Sequence, residues 1–108
     1  MTVARAIVSV PASARRGAII EIKTLVQHAM ETGFRRTQLG EVIPRDIITL
    51  FICLYNGEEV FRAELHPAIS ANPLLSFTTI ATESGTIEFR WTGDNGFALT
   101  QAATIKVE

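Results

Sequence analysis

Short apolar-rich segments separated by turn signals recur along this chain at intervals of about ten residues. Within the segments apolar and polar residues mostly alternate, as at Ile20, Glu21 and Ile22. Alternation with a period of two predicts β-strands that bury one face. The pattern predicts seven strands, at residues 4–10, 18–27, 46–55, 58–65, 74–82, 86–92 and 97–107.

Seven short strands in 108 residues predict an all-β protein, an immunoglobulin-like antiparallel β-sandwich. The chain has no internal repeat and no low-complexity stretch, so residues 1–108 are expected to form a single domain. Hydrophobic residues make up 47% of the chain and charged residues 19%, which is an ordinary globular balance. The B–F disulfide of antibody domains is excluded because Cys53 is the only cysteine.

Two connections are longer than a hairpin turn. Residues 28–45 show little period-two pattern and carry breaks at Gly33, Gly40 and Pro44, so they are predicted to form a long functional loop or, alternatively, a loose hairpin. Arg35 and Arg36 are the candidate docking residues of this loop, and the alternative is a solvated loop tip. Residues 66–73 form a crossover bounded by two prolines.

The Asn56-Gly57 dipeptide is a strong hairpin signal, because both residues tolerate positive φ in a type I′ turn. A two-residue turn with regular pairing places Tyr55 opposite Glu58. This register gives one almost wholly apolar face, which is assigned to the core. The opposite face combines aromatic side chains with an arginine, as protein interfaces do, so it is the predicted partner interface. Its residues are Phe51, Cys53, Tyr55, Val60 and Arg62. The alternative is that a loop of this chain covers that face.

Composition excludes several function classes. Ten basic and eleven acidic residues give a formal net charge of −1, so binding to nucleic acid or to an anionic membrane is not expected. No apolar stretch approaches the 18 residues of a membrane span, and the alternating N-terminus predicts a strand and no signal peptide.

A search for catalytic chemistry gives little. His28 and His66 have no metal-ligand spacing, and the chain has no nucleophile motif, so neither catalysis, nor a metal, nor another cofactor is predicted. Cys53 is expected to be an inert packed residue, with a redox or interprotein disulfide role as the alternative.

A long colinear set of segments carries a family resemblance. The matching segments are residues 21–25, 30–36, 43–48, 55–69, 71–77, 83–86 and 91–96. Together they resemble the SoxZ family of sulfur-oxidation proteins over nearly the whole chain. Ala29 departs from the pattern, since relatives commonly have proline after the histidine.

The resemblance implies an immunoglobulin-like subunit that pairs with SoxY to form a sulfur-carrier complex. In that complex SoxY holds the substrate on a cysteine of a flexible arm, and other Sox enzymes visit it in turn. The resemblance implies that this chain is the non-thiol subunit, that Cys53 is not the carrier site, and that the complex is periplasmic through co-export with a Tat-exported SoxY. Two rival hypotheses are a thiol-dependent sulfur-transfer enzyme using Cys53 and a free-standing binding module.

Overall fold

In a computed structural model, which describes residues 5–108, these residues form eight strands in two packed sheets. The strands are β1 (Ala6–Ser9), β2 (Ser13–Ala14), β3 (Ile19–Val26), β4 (Ile48–Tyr55), β5 (Glu58–Glu64), β6 (Leu74–Ile80), β7 (Gly85–Gly93) and β8 (Ala98–Val107). The small sheet has the order β1-β3-β6, and the large sheet has the order β2-β8-β7-β4-β5. The predicted all-β sandwich is confirmed.

All seven predicted strands are present, with ends within two residues of the prediction. Residue 4, where the first strand was predicted to begin, lies outside the described residues. The prediction missed β2, which pairs in parallel with the end of β8 through Ser13 and Lys106. A strand of two residues is too short to produce an alternating pattern, so the sequence carries no periodic signal for it.

The core lies between the two sheets and consists mainly of alternate residues of the long strands. On β3 the burial alternates strictly, with Ile20 and Ile22 inside and Glu21 outside. The fully or nearly fully buried apolar residues include Ile20, Ile22, Val26, Phe51, Cys53, Tyr55, Phe77, Ile87, Phe89, Trp91 and Ile105.

Aromatic rings join the two sheets across this core. Phe77 of β6 stacks on Phe61 of β5 with ring centroids 4.2 Å apart, and Phe51 of β4 lies 6.0 Å from Phe77. Within the large sheet, the Phe51 ring centroid lies 5.2 Å from that of Trp91. Because aromatic side chains bury large areas and favour such tilted or offset contacts, this cluster fixes how the sheets pack.

Residues 31–46 form a projecting antiparallel arm, hereafter the arm. Isolated bridges join Glu31 to Asp46 and Arg36 to Val42, and the Thr37 amide donates to the Glu41 carbonyl at 2.8 Å. The long axis of the molecule measures 60 Å, whereas a ten-residue strand of the sandwich spans roughly 33 Å. The difference agrees with an arm that extends beyond the sandwich. Of the two predictions for this segment, the loose hairpin describes it better than the loop.

The β4–β5 hairpin contains a bulge that the sequence prediction did not include. Its two-residue turn is as predicted: Asn56 and Gly57 have φ of 48° and 83°, and Tyr55 pairs with Glu58. The register then shifts, so that Cys53 pairs with Phe61. A one-residue insertion turns every later side chain of that strand to the opposite face.

Candidate functional site

The face predicted to meet a partner points into the core. Phe51 and Cys53 have no solvent exposure and Tyr55 has 5%. The prediction that these three side chains lie on an outward face is therefore wrong. The reason is the bulge at Val60: it brings the apolar side chains of β5, Phe61 and Ala63, onto the same face as Phe51 and Cys53. The small sheet covers this face. The alternative prediction, that a loop of this chain covers it, is therefore also wrong.

The other two predicted interface residues are separated from one another. Val60 is half-buried at the bulge, and it lines a cleft with Tyr55 and Thr79 at the open side between β5 and β6. Arg62 is on the outer face of the large sheet, where its Nη2 lies 2.9 Å from Oε1 of Glu59. The five predicted residues therefore do not form one surface.

Cys53 is enclosed in the sandwich between its strand neighbours Phe61 and Phe89. Burial away from water raises the pKa of its thiol to about 12, because the thiolate would lose its hydration. Since the thiolate is the nucleophile in thiol chemistry, this residue has the environment of an inert, packed cysteine.

The two histidines lie in different places: His28 is at the base of the arm, with Nε2 3.9 Å from Oδ1 of Asp46, and His66 is in the crossover. His28 accepts a hydrogen bond at Nδ1 from the Met30 amide at 2.9 Å and packs edge-on against Phe97, so it helps to build the base of the arm. His66 is exposed in the crossover. Among residues 5–108, no group of three or more His, Cys, Asp or Glu side chains is placed to hold a metal ion. That part of the chain also contains no helix long and apolar enough to cross a bilayer.

The outer face of the large sheet, hereafter the large-sheet face, carries apolar residues screened by charges. Leu50, Ile52 and Leu54 point outward from β4 and are half-buried. Ile52 lies between Arg90 and Arg62. Each arginine is paired on its own strand, Arg90 Nε to Glu88 Oε2 at 2.6 Å and Arg62 to Glu59. Long charged side chains cover apolar neighbours with their stems while their heads stay in water.

The outer face of the small sheet is different. Of the nine large apolar residues that are exposed among residues 5–108, five lie there. They define the small-sheet face: Ile7, Ile19, Leu25, Leu74 and Ile80.

Three of the five form one row across the three strands, because Leu25 pairs with Ile7 on one side and with Leu74 on the other. Ile7 and Leu74 are 68% and 66% exposed, and with Leu25 they line a shallow, almost wholly apolar depression of about 160 Å³. At the far end of the sheet Ile19 pairs with Ile80. The row of Ile7, Leu25 and Leu74 is an exposed apolar patch, and such patches mark interaction sites or aggregation liabilities.

The arm carries three more of the exposed apolar residues, Phe34, Leu39 and Val42, the first two at 82% and 88% exposure. Arg35 and Arg36, the predicted docking residues, are also there, but both are engaged within the arm. Arg35 forms a bidentate ion pair with Glu31, which raises the pKa of the guanidinium and lowers that of the Glu31 carboxyl. Arg36 donates to the Gly40 carbonyl oxygen at 2.9 Å. Phe34 and Leu39 are therefore more exposed than restrained, whereas both arginines bond within the arm.

Asp94 fastens the base of the arm to the β7–β8 turn. Its two carboxylate oxygens accept from Nε and Nη2 of Arg45, both at 2.9 Å, and one of them also accepts from the Ile47 amide at 3.1 Å. The Arg45 hydrogen bonds, followed by the Ile47 amide, hold the pKa of Asp94 below its usual value. Charge-assisted bidentate pairs are geometrically specific, so this contact helps to hold the base of the arm against the turn.

Solved structures show the same fold at low sequence identity. A superoxide reductase (neelaredoxin) from Ignicoccus hospitalis matches with a TM-score of 0.74 and 14% identity over 95% of this chain and 80% of its own. The sulfur carrier protein SoxY from Chlorobium limicola f thiosulfatophilum matches with a TM-score of 0.67 and 11% identity over 95% of this chain and 78% of its own. At these identities the likeness establishes the fold and no shared chemistry.

The comparison with curated proteins gave no significant match. The comparison with family models gave one that agrees with the resemblance of the sequence segments. The model of the sulphur oxidation protein SoxZ matches residues 7–104, which include the arm and nearly all of both sheets. The chain therefore belongs to the SoxZ family of sulphur oxidation proteins.

Proposed function

We propose that this chain is the non-thiol subunit of a sulfur-carrier complex and that it pairs with SoxY. Family membership supports a role in sulfur oxidation. The observation that carries the rest is the enclosure of Cys53, the only cysteine, whose thiol is buried and has a pKa raised to about 12. A carrier must expose its sulfur to visiting enzymes, so the reacting thiol is assigned to the partner subunit.

In this proposal the chain acts as a rigid base for the flexible, cysteine-bearing segment of SoxY. Such a segment delivers its thiol to successive enzymes through a high effective concentration, provided that the subunit to which it is attached stays in place. The two-sheet core, joined by the Phe51, Phe61 and Phe77 rings, is suited to that task because close-packed interiors resist deformation.

The test has two parts, pairing and the role of the thiol. Purified chain and SoxY are mixed and sized by light scattering, and a stable heterodimer is expected. Cys53→Ala is then compared with the wild type in a reconstituted thiosulfate-oxidation assay. Because the variant removes only a buried sulfur, turnover should stay within about twofold of the wild type, after correction for any loss of folded protein.

The rival hypothesis, a sulfur-transfer enzyme that uses Cys53, makes the opposite prediction. It requires loss of sulfur transfer in Cys53→Ala while the variant still folds and binds SoxY. Mass spectrometry of the wild type during turnover supplies a second readout, because the rival requires a covalent sulfur adduct on Cys53. The burial of that residue favours the non-thiol role. For the other rival, a free-standing binding module, the expected result is a monomer with no affinity for SoxY.

We further propose that the arm docks the enzymes that visit the carrier. It projects from the sandwich and exposes Phe34 and Leu39, and Arg35 and Arg36 remain the predicted polar contacts on the same element. A Phe34→Ser/Leu39→Ser variant should raise the KM of a visiting enzyme for the carrier complex about tenfold or more, since apolar anchors dominate docking. Gln38→Ala, at the exposed tip, is the matched control. An unchanged KM in the double serine variant would contradict the proposal.

The periplasmic address, reached by co-export with a Tat-exported SoxY, is also part of this proposal, and it follows from the family resemblance. Fractionation of cells that produce both subunits should recover the chain in the periplasm. Cells in which SoxY carries a disabled Tat signal should retain the chain in the cytoplasm. Recovery in the periplasm without an exportable SoxY would contradict co-export.

A further inference from the structure

We propose that the small-sheet face is the surface on which the SoxY subunit is seated. The inference rests on the proposed function, because it assumes that SoxY is the stable partner, and it adds the location of the contact. The surface was defined above by Ile7, Ile19, Leu25, Leu74 and Ile80. Three independent properties of the face support the assignment: the positions of the apolar side chains, the charge, and the size.

The apolar residues stand at both ends of the sheet and on all of its strands. The Ile7–Leu25–Leu74 row crosses β1, β3 and β6, and the pair of Ile19 and Ile80 lies at the opposite end of β3 and β6. The sheet holds these side chains in fixed register, so they are pre-organised and lose little freedom when they are covered.

The face is nearly neutral. Among the outward-pointing residues of β1, β3 and β6, the charged ones are Glu21 and Lys23, and these form an ion pair with Nζ and Oε1 3.2 Å apart. Both are 59% exposed, so the pair sits between the two apolar groups as a polar island that a partner can hydrogen-bond. Protein interfaces are usually poor in charged residues at their centre, so a partner seated here has to offer hydrogen-bonding groups opposite this pair.

The dimensions of the face select the kind of occupant. Three strands about 4.8 Å apart, with eight residues of about 3.3 Å each on β3, give a surface roughly 14 Å by 26 Å. A single extended peptide would cover about one strand width and would leave most of the apolar residues in water. A folded subunit can cover the whole face, roughly 360 Å², and also extend over its edges, as it must to reach the roughly 800 Å² per partner of a standard stable interface.

The edges of the sandwich agree with this placement. β6 borders the face and carries no charged residue over its seven residues, whereas β5, the edge strand of the large sheet, has four among its seven: Glu58, Glu59, Arg62 and Glu64. Charged side chains are the usual protection of an exposed sheet edge. The unprotected edge therefore lies beside the unprotected face, as expected if one partner covers both.

The experiment compares lysine substitutions on the two outer faces. Leu25→Lys and Leu74→Lys place a charge in the apolar row, and Thr100→Lys places the same charge at an exposed position of the large-sheet face. The dissociation constant for SoxY is measured by calorimetry, and folding is checked by near-ultraviolet circular dichroism. We expect the dissociation constant to rise at least about tenfold in each small-sheet variant and to change less than about twofold in Thr100→Lys. Leu74→Lys keeps the test decisive if Leu25→Lys folds poorly, because Leu74 is the more exposed.

The outcomes separate the inference from the proposed function. Unchanged affinity in both small-sheet variants overturns the inference and leaves the pairing with SoxY intact. Absence of SoxY binding by the wild type overturns the pairing, and the inference with it. Light scattering of the chain alone covers the remaining case: a homodimer that Leu25→Lys dissociates, and that persists when SoxY binds, would show that a second copy occupies the face and would overturn the assignment to SoxY.

Discussion

On the large-sheet face Ile52 lies between Arg90 and Arg62, whereas on the small-sheet face Leu25 lies between Ile7 and Leu74. Both central residues are apolar and point away from the core. The flanking residues make the difference. The aliphatic stems of the two arginines cover Ile52, whereas further apolar side chains extend the surface around Leu25. Apolar content alone therefore does not mark an interface, and the lateral neighbours across the sheet decide whether an outward apolar residue is screened or available.

The inner side of the large sheet completes this contrast. Its aromatic residues Phe51, Phe89 and Trp91 all turn inward, so its apolar surface is used in folding. The small sheet buries aliphatic residues of β3 and retains apolar residues on its other side. Antiparallel sheets normally solvate one face. The large sheet follows that rule by means of ion pairs, and the small sheet departs from it.

The largest expected effect tests which side of β4 is the core side. Phe51→Ala should lower the free energy of unfolding by about 3–5 kcal/mol, because it empties a fully buried aromatic site. Ile52→Ala, one residue away on the half-buried outer side, should cost about 1–2 kcal/mol. Urea unfolding of both variants measures the difference. Equal losses would contradict the inward and outward assignment of the two residues.

The next prediction concerns the anchor of the arm on the large sheet. The pKa of Asp94 is lowered in the folded protein, so its ion pair with Arg45 contributes fully above the ordinary carboxyl pKa of about 3.9. The contribution is lost as the pH falls through the lower, folded-state value. The Ile47 amide, which donates to Asp94, should show an NMR shift that titrates with a midpoint below 3.9. Asp94→Asn should abolish that titration, and a midpoint at or above 3.9 would contradict the anchoring role.

A smaller effect is expected from the ion pairs of the large-sheet face. Arg90→Ala removes the partner of Glu88 at a largely exposed position, and exposed pairs contribute at most about 1 kcal/mol. The loss should shrink at high salt, because exposed charges are screened. The same variant should increase binding of a hydrophobic dye, since Ile52 and Leu54 lose part of their cover. No increase in dye binding would argue against the screening role of the arginine stem.

The smallest change in stability is expected from one charge on each outer face. Ile19→Lys and Thr100→Lys should each alter the free energy of unfolding by no more than about 0.5 kcal/mol, as exposed substitutions usually do. Solubility of the isolated chain should differ, rising with Ile19→Lys and not with Thr100→Lys, because only the first interrupts an apolar patch. Equal solubility of the two variants would remove the distinction between the faces.

The hairpin shows how far local sequence reasoning reached. The Asn56-Gly57 turn was predicted from two residues, because the requirement for positive φ is a local property. The bulge at Val60 was missed, although the neighbouring pair of acidic residues followed by two apolar ones, at 58–61, already breaks strict alternation. Because β4 is apolar on both faces, its own pattern does not show which side is buried. The regular hairpin register assumed from the turn therefore placed the buried side of β4 in the predicted interface.

The small-sheet face was present in the alternation of the sequence but was not identified from it. Ile7, Leu25 and Leu74 come from three distant segments, and each looks like a single exposed apolar residue, which is common on protein surfaces. Only the pairing of β1, β3 and β6 places them in one row. Arg35 and Arg36 also needed the structure: the sequence offered docking residues or a solvated loop tip, and the structure shows that both arginines form hydrogen bonds within the arm.

The amino-acid sequence by itself determined the seven longer strands, the tight turn, the all-β class and the family, because these depend on period-two patterns, on backbone preferences of single residues and on colinear motifs. The tertiary structure decided which side of each strand meets the core and which outward residues become neighbours. The physical reason is that a strand has only two sides: one inserted residue exchanges them, and their lateral neighbours come from segments far away in the chain.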